Sequence, residues 1–211
     1  MRCPYIIGKM VLAMKNIFLF LAMFVACSFS AFAGGKFPPN GKKCEIADKV
    51  IYVDKRPIYN IDWREMLWTF ENQPEIITGS VSENGLDSTV WWSVYNERIT
   101  MDNLERINKS PVVGFSLKQL ETYAIFRATV AMYTYNNNSK STHYKDAKLE
   151  YLLLSSEQYA ELLKQKWFAK SFVDGYAEIT SDGKFVKNGK ILDSVDDVKV
   201  TFRMYAVIGN N

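Results

Sequence analysis

The sequence predicts an α+β fold, with helices grouped in the middle of the chain and strands toward both ends. Three observations lead there. Apolar residues recur at helical spacing over residues 60–70, 116–130 and 155–168. The C-terminal part changes to period two and carries the turn dipeptides Asp182-Gly183 and Asn188-Gly189. The regular strand–helix–strand alternation of a parallel sheet is missing. With 48% hydrophobic and 23% charged residues, the composition suits a globular core and excludes a disordered, collagenous or multi-span membrane chain.

Residues 1–33 read as an export signal. Lys15 and Asn16 precede an apolar run from Ile17 to Cys27, and a small-residue stretch ends in Ala31-Phe32-Ala33, placing cleavage between Ala33 and Gly34. The apolar run is about half the roughly 20 residues that a membrane-spanning helix needs. Met1, Met10 and Met14 are all possible starts, and a signal beginning at Met14 has the usual length. A competing reading stays open. Phe24-Val25-Ala26-Cys27 has the layout of a bacterial lipoprotein signal, in which Cys27 is lipidated and anchors the protein to a membrane.

Export changes the charge and cysteine accounts. Losing Arg2, Lys9 and Lys15 takes the 26 basic residues to 23, equal to the 23 acidic ones. This balance argues against nucleic acid or an anionic membrane surface as partner. Cys44 becomes the only cysteine, so no internal disulfide can form, and the fold must stand on its hydrophobic core. About 178 of the 211 residues remain, enough for one such core.

The elements follow in order. Residues 34–47 read as a flexible leader, Gly34 to Lys43 being rich in Gly, Pro and Lys, and a single domain is expected over 48–211. Val50-Ile51-Tyr52-Val53 is a β-prone run. Asn60 and Asp62 supply a cap and a first-turn acid for a helix through Phe70, with Trp63, Met66, Leu67 and Phe70 inward. Residues 72–89 look like a loop, and Val90-Trp91-Trp92 like a strand or a buried anchor. Ser116 and Gln119 form a capping box for a helix with Leu117, Leu120, Tyr123, Ala124 and Val130 on its apolar positions. That helix ends in the polar loop Asn136-Asn137-Asn138-Ser139. Leu149 to Leu154 is a strand. Ser155 with Gln158 caps a helix to about Phe168, with Tyr159, Leu162, Leu163 and Trp167 inward. Val198, Val200, Phe202 and Met204 alternate with polar neighbours as a half-buried strand.

Few residues suggest chemistry. His143, the only histidine, sits in a polar loop and reads as solvated, so histidine metal sites, Ser-His-Asp triads and Cys-His dyads have no second group to work with. Cys44 stands beside Lys42 and Lys43, cations that lower a thiol's pKa, although a lone cysteine near a terminus reads as incidental. Asp193, Asp196 and Asp197 could coordinate calcium but lack a tightly spaced ligand loop; otherwise no cofactor is predicted. Asn137-Asn138-Ser139 and Asn108-Lys109-Ser110 match the glycosylation pattern, which carries little weight in a chain that looks bacterial. Trp63, Trp68 and Trp167 belong to predicted inward faces. Trp91 and Trp92 are different: neighbours in a strand point to opposite sides, so one must lie outside. They are the candidate binding residues.

Residues Tyr52–Asn60 with Trp63-Arg64-Glu65, Pro111–Ser116 with Gln119 and Tyr123, Tyr151–Lys164, and Gly175–Asp182 form four blocks that, taken together, resemble the sulfatase-modifying-factor (formylglycine-generating enzyme) family. Tyr52-Val53-Asp54-Lys55-Arg56-Pro57-Ile58-Tyr59-Asn60 with Trp63-Arg64-Glu65 is similar to the family's opening strand, turn and helix. Pro111-Val112-Val113-Gly114-Phe115-Ser116 with Gln119 and Tyr123 resembles its Pro-Val-x-x-Val-Ser-Trp segment. Tyr151 to Lys164, with Leu153, Ser155 and Tyr159 in corresponding places, resembles its Tyr-Arg-Leu-Pro-Thr-Glu block. Gly175 to Asp182 resembles its Gly-Asn-Val-x-Glu-Trp segment, and Thr201-Phe202-Arg203 its closing strand. Leu86-Asp87-Ser88-Thr89-Val90-Trp91 is similar to a stretch of the gliding-motility lipoprotein branch, whose members are envelope scaffold components.

The resemblance implies a C-type-lectin-like framework. It also implies loss of function, because the family's oxidase activity depends on a copper-binding cysteine pair and no cysteine follows Cys44. The iron-dependent branch uses several histidines, and only His143 is present. Leu152, Leu154 and Ser156 replace the third block's Arg, Pro and Glu; Ala124 and Phe126 stand where many members have cysteine and tryptophan. The fourth block lacks its Asn and is one residue short, which undercuts an inherited calcium site. The expectation is therefore a non-catalytic binding or scaffold module of the bacterial envelope, periplasmic or secreted, taking a protein or glycan and open to self-assembly. The alternative is an enzyme acting on a small molecule through carboxylate and tyrosine chemistry.

Overall fold

The computed structural model describes residues 37–138, 143–145, 147–196 and 199–209. The proposed signal, its cleavage site at Ala33 and Gly34, and Cys27 lie outside these residues, as do Asp197 and Val198. Residues from Lys36 onward form one compact unit. Helices hold 36% and strands 23% of the described residues, and the strands pair mainly antiparallel, so the class is α+β.

The first sheet begins where a flexible leader was expected. Strand β1 (Gly41–Ile46) pairs antiparallel with β2 (Lys49–Asp54), from Gly41 opposite Asp54 to Ile46 opposite Lys49. Ala47 and Asp48 alone make the turn, both with positive φ, 47° and 61°. This is the twist a two-residue hairpin needs. The leader reading is therefore corrected: residues 41–46 are strand, and Cys44 is buried on it.

Two further strands complete the sheet in the order β1-β2-β8-β3, all antiparallel. These are β3 (Lys148–Leu153) and β8 (Met204–Gly209). The alternation of side chains gives the sheet two working faces. Cys44, Ile51 and Val53 face one core with Leu154, Tyr159, Leu162, Phe168 and Val186. Tyr52, Asp54, Tyr151 and Ala206, in register across three strands, face the other way.

Helix α1 (Asn60–Asn72) buries Trp63, Met66, Thr69 and Phe70; Leu67 is half-buried. Three elements follow: α2 (Ser88–Tyr95), the single turn α3 (Leu104–Asn108) and the long α4 (Leu117–Asn137). Ser116 and Gln119 form the expected capping box, and α4 buries Leu120, Tyr123, Phe126, Val130 and Ala131. Leu117 departs from the predicted face and is 64% exposed. Trp63 stacks on Tyr123 at 5.3 Å between centroids, and Phe202 meets both rings edge-on.

Ser155 and Gln158 cap α5 (Ser156–Leu163) as expected, but the helix does not run through to Phe168. Gln165 leaves the helical region, and a separate turn, α6 (Lys166–Ala169), carries Phe168 into the core. The second sheet has the order β6-β5-β4-β7: β4 (Ala177–Ile179), β5 (Phe185–Lys187), β6 (Lys190–Leu192) and β7 (Val200–Phe202). Only β4 and β7 run parallel. Asn188 and Gly189 turn the β5-β6 hairpin, both at positive φ.

The C-terminal strand is not half-buried. Thr201 and Arg203, the polar neighbours expected outside, are both fully buried, as are Phe202 and Met204. The stretch is covered on both sides, where burying a polar group is costly unless it is paired; Arg203 finds its partners indoors, whereas Thr201 Oγ1 has none among the described residues.

Candidate functional site

The segment from Gly79 to Met101 is an excursion between α1 and α3, and it places the two candidate tryptophans on a helix. Asp87 starts α2 by accepting hydrogen bonds from the backbone N–H of Thr89 (2.7 Å) and Val90 (3.3 Å). This N-cap overrides the β-propensity of Val90-Trp91-Trp92, so the strand assignment is corrected. The helix ends at Asn96 in the left-handed conformation.

Hydrogen bonds at both ends hold α2 and the loop before it to the domain. The Asp87 N–H donates to the Gly114 carbonyl (2.6 Å). Gly114 has φ +77°, and a Cβ there would lie 2.9 Å from the Asp87 carbonyl oxygen, so only glycine fits. The Tyr95 hydroxyl donates to the Pro111 carbonyl (2.8 Å) and accepts from Asn60 Nδ2 (2.9 Å), joining α2 to the start of α1. Gln119 Nε2 donates to the Glu83 and Gly85 carbonyls, fastening the preceding loop to α4.

These contacts leave α2 an unusual surface. Val90, Trp91, Val94 and Tyr95 form its half-buried side, Trp91 resting against Tyr95 at 4.4 Å. No residue of the helix is buried. Trp92 is 49% exposed, and Val81, Ile99 and Met101 of the same excursion are exposed large hydrophobics. Adjacent helical residues differ by about 100° in direction, which puts Trp92 outside while Trp91 leans in. The loop behind is stiffened by Asn103, which donates to Glu97 and the Arg98 carbonyl and accepts from Thr100, and by the Arg106–Glu97 ion pair.

Other candidates are distributed differently. Trp63 is core, and its indole N–H donates to the Asn84 carbonyl (3.0 Å). Trp167 is half-buried under Lys42, whose Nζ lies 4.3 Å from the ring centroid. Burial pushes the Cys44 thiol up despite Lys42, the opposite of a reactive thiolate. His143 is exposed and leans edge-on against Tyr144. The Asp193 side chain is 95% exposed and meets Lys184 only at 4.0 Å. Among the described residues no group of three or more His, Cys, Asp or Glu could hold a metal ion, and no helix is long and apolar enough to cross a membrane. Asn108 of the first glycosylation pattern is buried and accepts from Arg64 (2.8 Å).

Two polar clusters escaped the sequence reading. In the first, Arg203 donates to both oxygens of Glu178 (3.0 and 2.7 Å) and to Ser171, and Tyr159 donates to Glu178 Oε2 (2.7 Å). All three large side chains are at most 2% exposed, and burial beside Glu178 holds the Tyr159 hydroxyl protonated. In the second, Arg127 grips Asp54 with both terminal nitrogens (2.5 and 2.9 Å) while lying over the Tyr151 ring. Nearby, Arg56 grips Asp62 (2.6 and 2.9 Å) and lies over Tyr59. Glu65, one turn beyond Asp62, is pushed up to about 7 by burial and by Asp62, with Arg127 opposing. Hints existed in Asp54-Lys55-Arg56 and in a lone arginine amid apolar residues at 203, but the partners of Asp54 and Arg203 lie 73 and 25 positions away, and only Arg56 finds its partner nearby.

No protein-family model, curated protein or solved structure matches the chain.

Proposed function

We propose that this chain is an exported, non-catalytic binding module of the bacterial cell envelope, built on a sulfatase-modifying-factor or C-type-lectin-like framework. The observation that carries the binding reading is the helix Ser88–Tyr95, which bears two tryptophans and buries no residue. Exposed aromatic and aliphatic side chains grouped in one excursion are what a monomer avoids and an interface uses. Tryptophan and tyrosine are also enriched among residues that dominate association. Exposed Val81, Ile99 and Met101 in the same segment as Trp92 favour a protein partner over a glycan, because they offer apolar area where a sugar needs polar groups around its stacking ring.

The framework reading draws support from how the resembling blocks meet. Glu178 of the fourth block, Arg203 of the closing strand and Tyr159 of the third share one buried network. Asp182 of the fourth block accepts from the backbone and hydroxyl of Ser156 in the third (2.8 and 2.6 Å). Asp54 of the first block accepts from the backbone of Met204. Export itself, by cleavage after Ala33 or by lipidation at Cys27, is part of the same proposal, and intact-mass measurement separates the two routes.

Crosslinking in envelope extracts, comparing the wild type with Trp92→Ala and Met101→Ala, tests the binding reading. A crosslinked envelope protein lost in Trp92→Ala, with unchanged thermal stability, is the expected result. Crosslinking that is absent in the wild type, or undiminished in the variant, overturns it. Self-crosslinking through the same residues identifies a second copy as the partner. The carboxylate–tyrosine enzyme reading has Glu65 and the neighbouring Tyr123 in its favour, but both nearby guanidinium groups are already committed to other carboxylates.

A further inference from the structure

The cluster around Glu65 has an odd number of acids. Strand β2 supplies Asp54, the turn after it Arg56, helix α1 Asp62 and Glu65, and helix α4 Tyr123 and Arg127. Asp54 takes Arg127, and Asp62 takes Arg56 together with the Tyr59 N–H (2.8 Å). Among the described residues, these two guanidinium groups therefore leave the third carboxylate without a dedicated cation. Glu65 Oε1 is buried and has no hydrogen-bond partner. Burial first, and then Asp62, Asp54 and Glu65, raise the Tyr123 pKa well above the ordinary value, with Arg127 opposing; it stays neutral and brings no positive charge. Arg64, next in sequence, reaches away to Asn108 of α3.

We infer that Glu65 is a proton-operated brace: protonated, it closes the charge account between α1 and α4, and deprotonated, it loosens them. A buried carboxylate facing a neighbouring carboxylate is costly when ionised and comfortable when neutral. The sign follows from linkage. The folded carboxyl keeps its proton to about 7, against 4.5 for an unperturbed glutamate. The stabilisation is complete below the unfolded value and is lost as pH rises through the folded one. The consequence reaches the exposed helix, because α1 also carries Asn60, which holds the Tyr95 hydroxyl of α2.

Urea unfolding of the purified protein from about pH 5 to about pH 8.5 tests the brace. The wild-type midpoint should fall across that range, and Glu65→Gln should remove most of the fall while raising the midpoint at the alkaline end. A wild-type profile that is flat, or a fall that survives intact in Glu65→Gln, overturns it. Carboxyl carbon NMR provides a readout that needs no variant stability: one glutamate titrating near neutrality is expected, and all glutamates titrating near 4 to 5, in the ordinary range, refutes the inference. Neither outcome bears on whether Trp92 binds a partner, so the two readings fail separately.

Discussion

The inter-sheet core around Arg203 and the excursion around α2 invert each other. In the core, an arginine, a glutamate and a tyrosine are shut away from water, and each is paired. In the excursion, tryptophan, isoleucine, methionine and valine stand in water. Burying charge is tolerable only with complete pairing, and exposing apolar area is costly unless something covers it. The contrast teaches that the domain completes its apolar core with paired polar groups around Arg203, while this one excursion leaves apolar side chains for whatever meets it outside.

Breaking the inside should have the largest effect. Arg203→Ala strands Glu178 in the core and should cost roughly 3–5 kcal/mol, a large part of an ordinary domain's stability. Chemical denaturation reads this directly. A double variant, Arg203→Met with Glu178→Met, should recover much of the loss, since apolar replacement of a whole buried pair is often near neutral. If the double variant is no better than the single, the pairing account is wrong.

The two tryptophan classes sharpen the contrast at intermediate scale. Trp63→Ala removes a fully buried ring stacked on Tyr123 and should cost about 3–5 kcal/mol. Trp92→Ala should fall within about 0.5 kcal/mol of wild type, with the loss appearing only in binding. Equal thermal shifts for the two variants would contradict the division between core and surface.

The smallest effect concerns the β1-β2 turn. Ala47 occupies the left-handed region at φ 47°, which costs a side-chain-bearing residue about 1–2 kcal/mol. Ala47→Gly should relieve it at some entropic cost, for a net gain of up to about 1 kcal/mol in the melting transition. A loss instead would mean that the Ala47 methyl contributes packing that outweighs its backbone strain.

That turn also explains what the sequence could convey. The capping boxes at Ser116–Gln119 and Ser155–Gln158 were legible because both halves lie within four residues and the chemistry is local. Asn188-Gly189 announced its hairpin for the same reason. Ala47-Asp48 performs the same turn without the customary residues, so β1 passed for a leader. Val90-Trp91-Trp92 carried strand propensity, but one carboxylate at Asp87 decided the helix. That one tryptophan lies outside was right, although for a helical reason. The polar clusters were out of reach, because Arg203 with Glu178 and Arg127 with Asp54 become pairs only after the sheets assemble. The charge balance that the cluster leaves on Glu65 is a property of that assembly.

The place of β8 has a consequence for assembly of the fold. It is the inner member between β2 and β3, so until residues 204–209 are in place the β1-β2 hairpin and β3 stay unjoined. Arg203, just before it, likewise supplies the counter-ion for Glu178, 25 positions earlier. Closing the first sheet and pairing the buried Glu178 therefore both depend on one short stretch, residues 203–209.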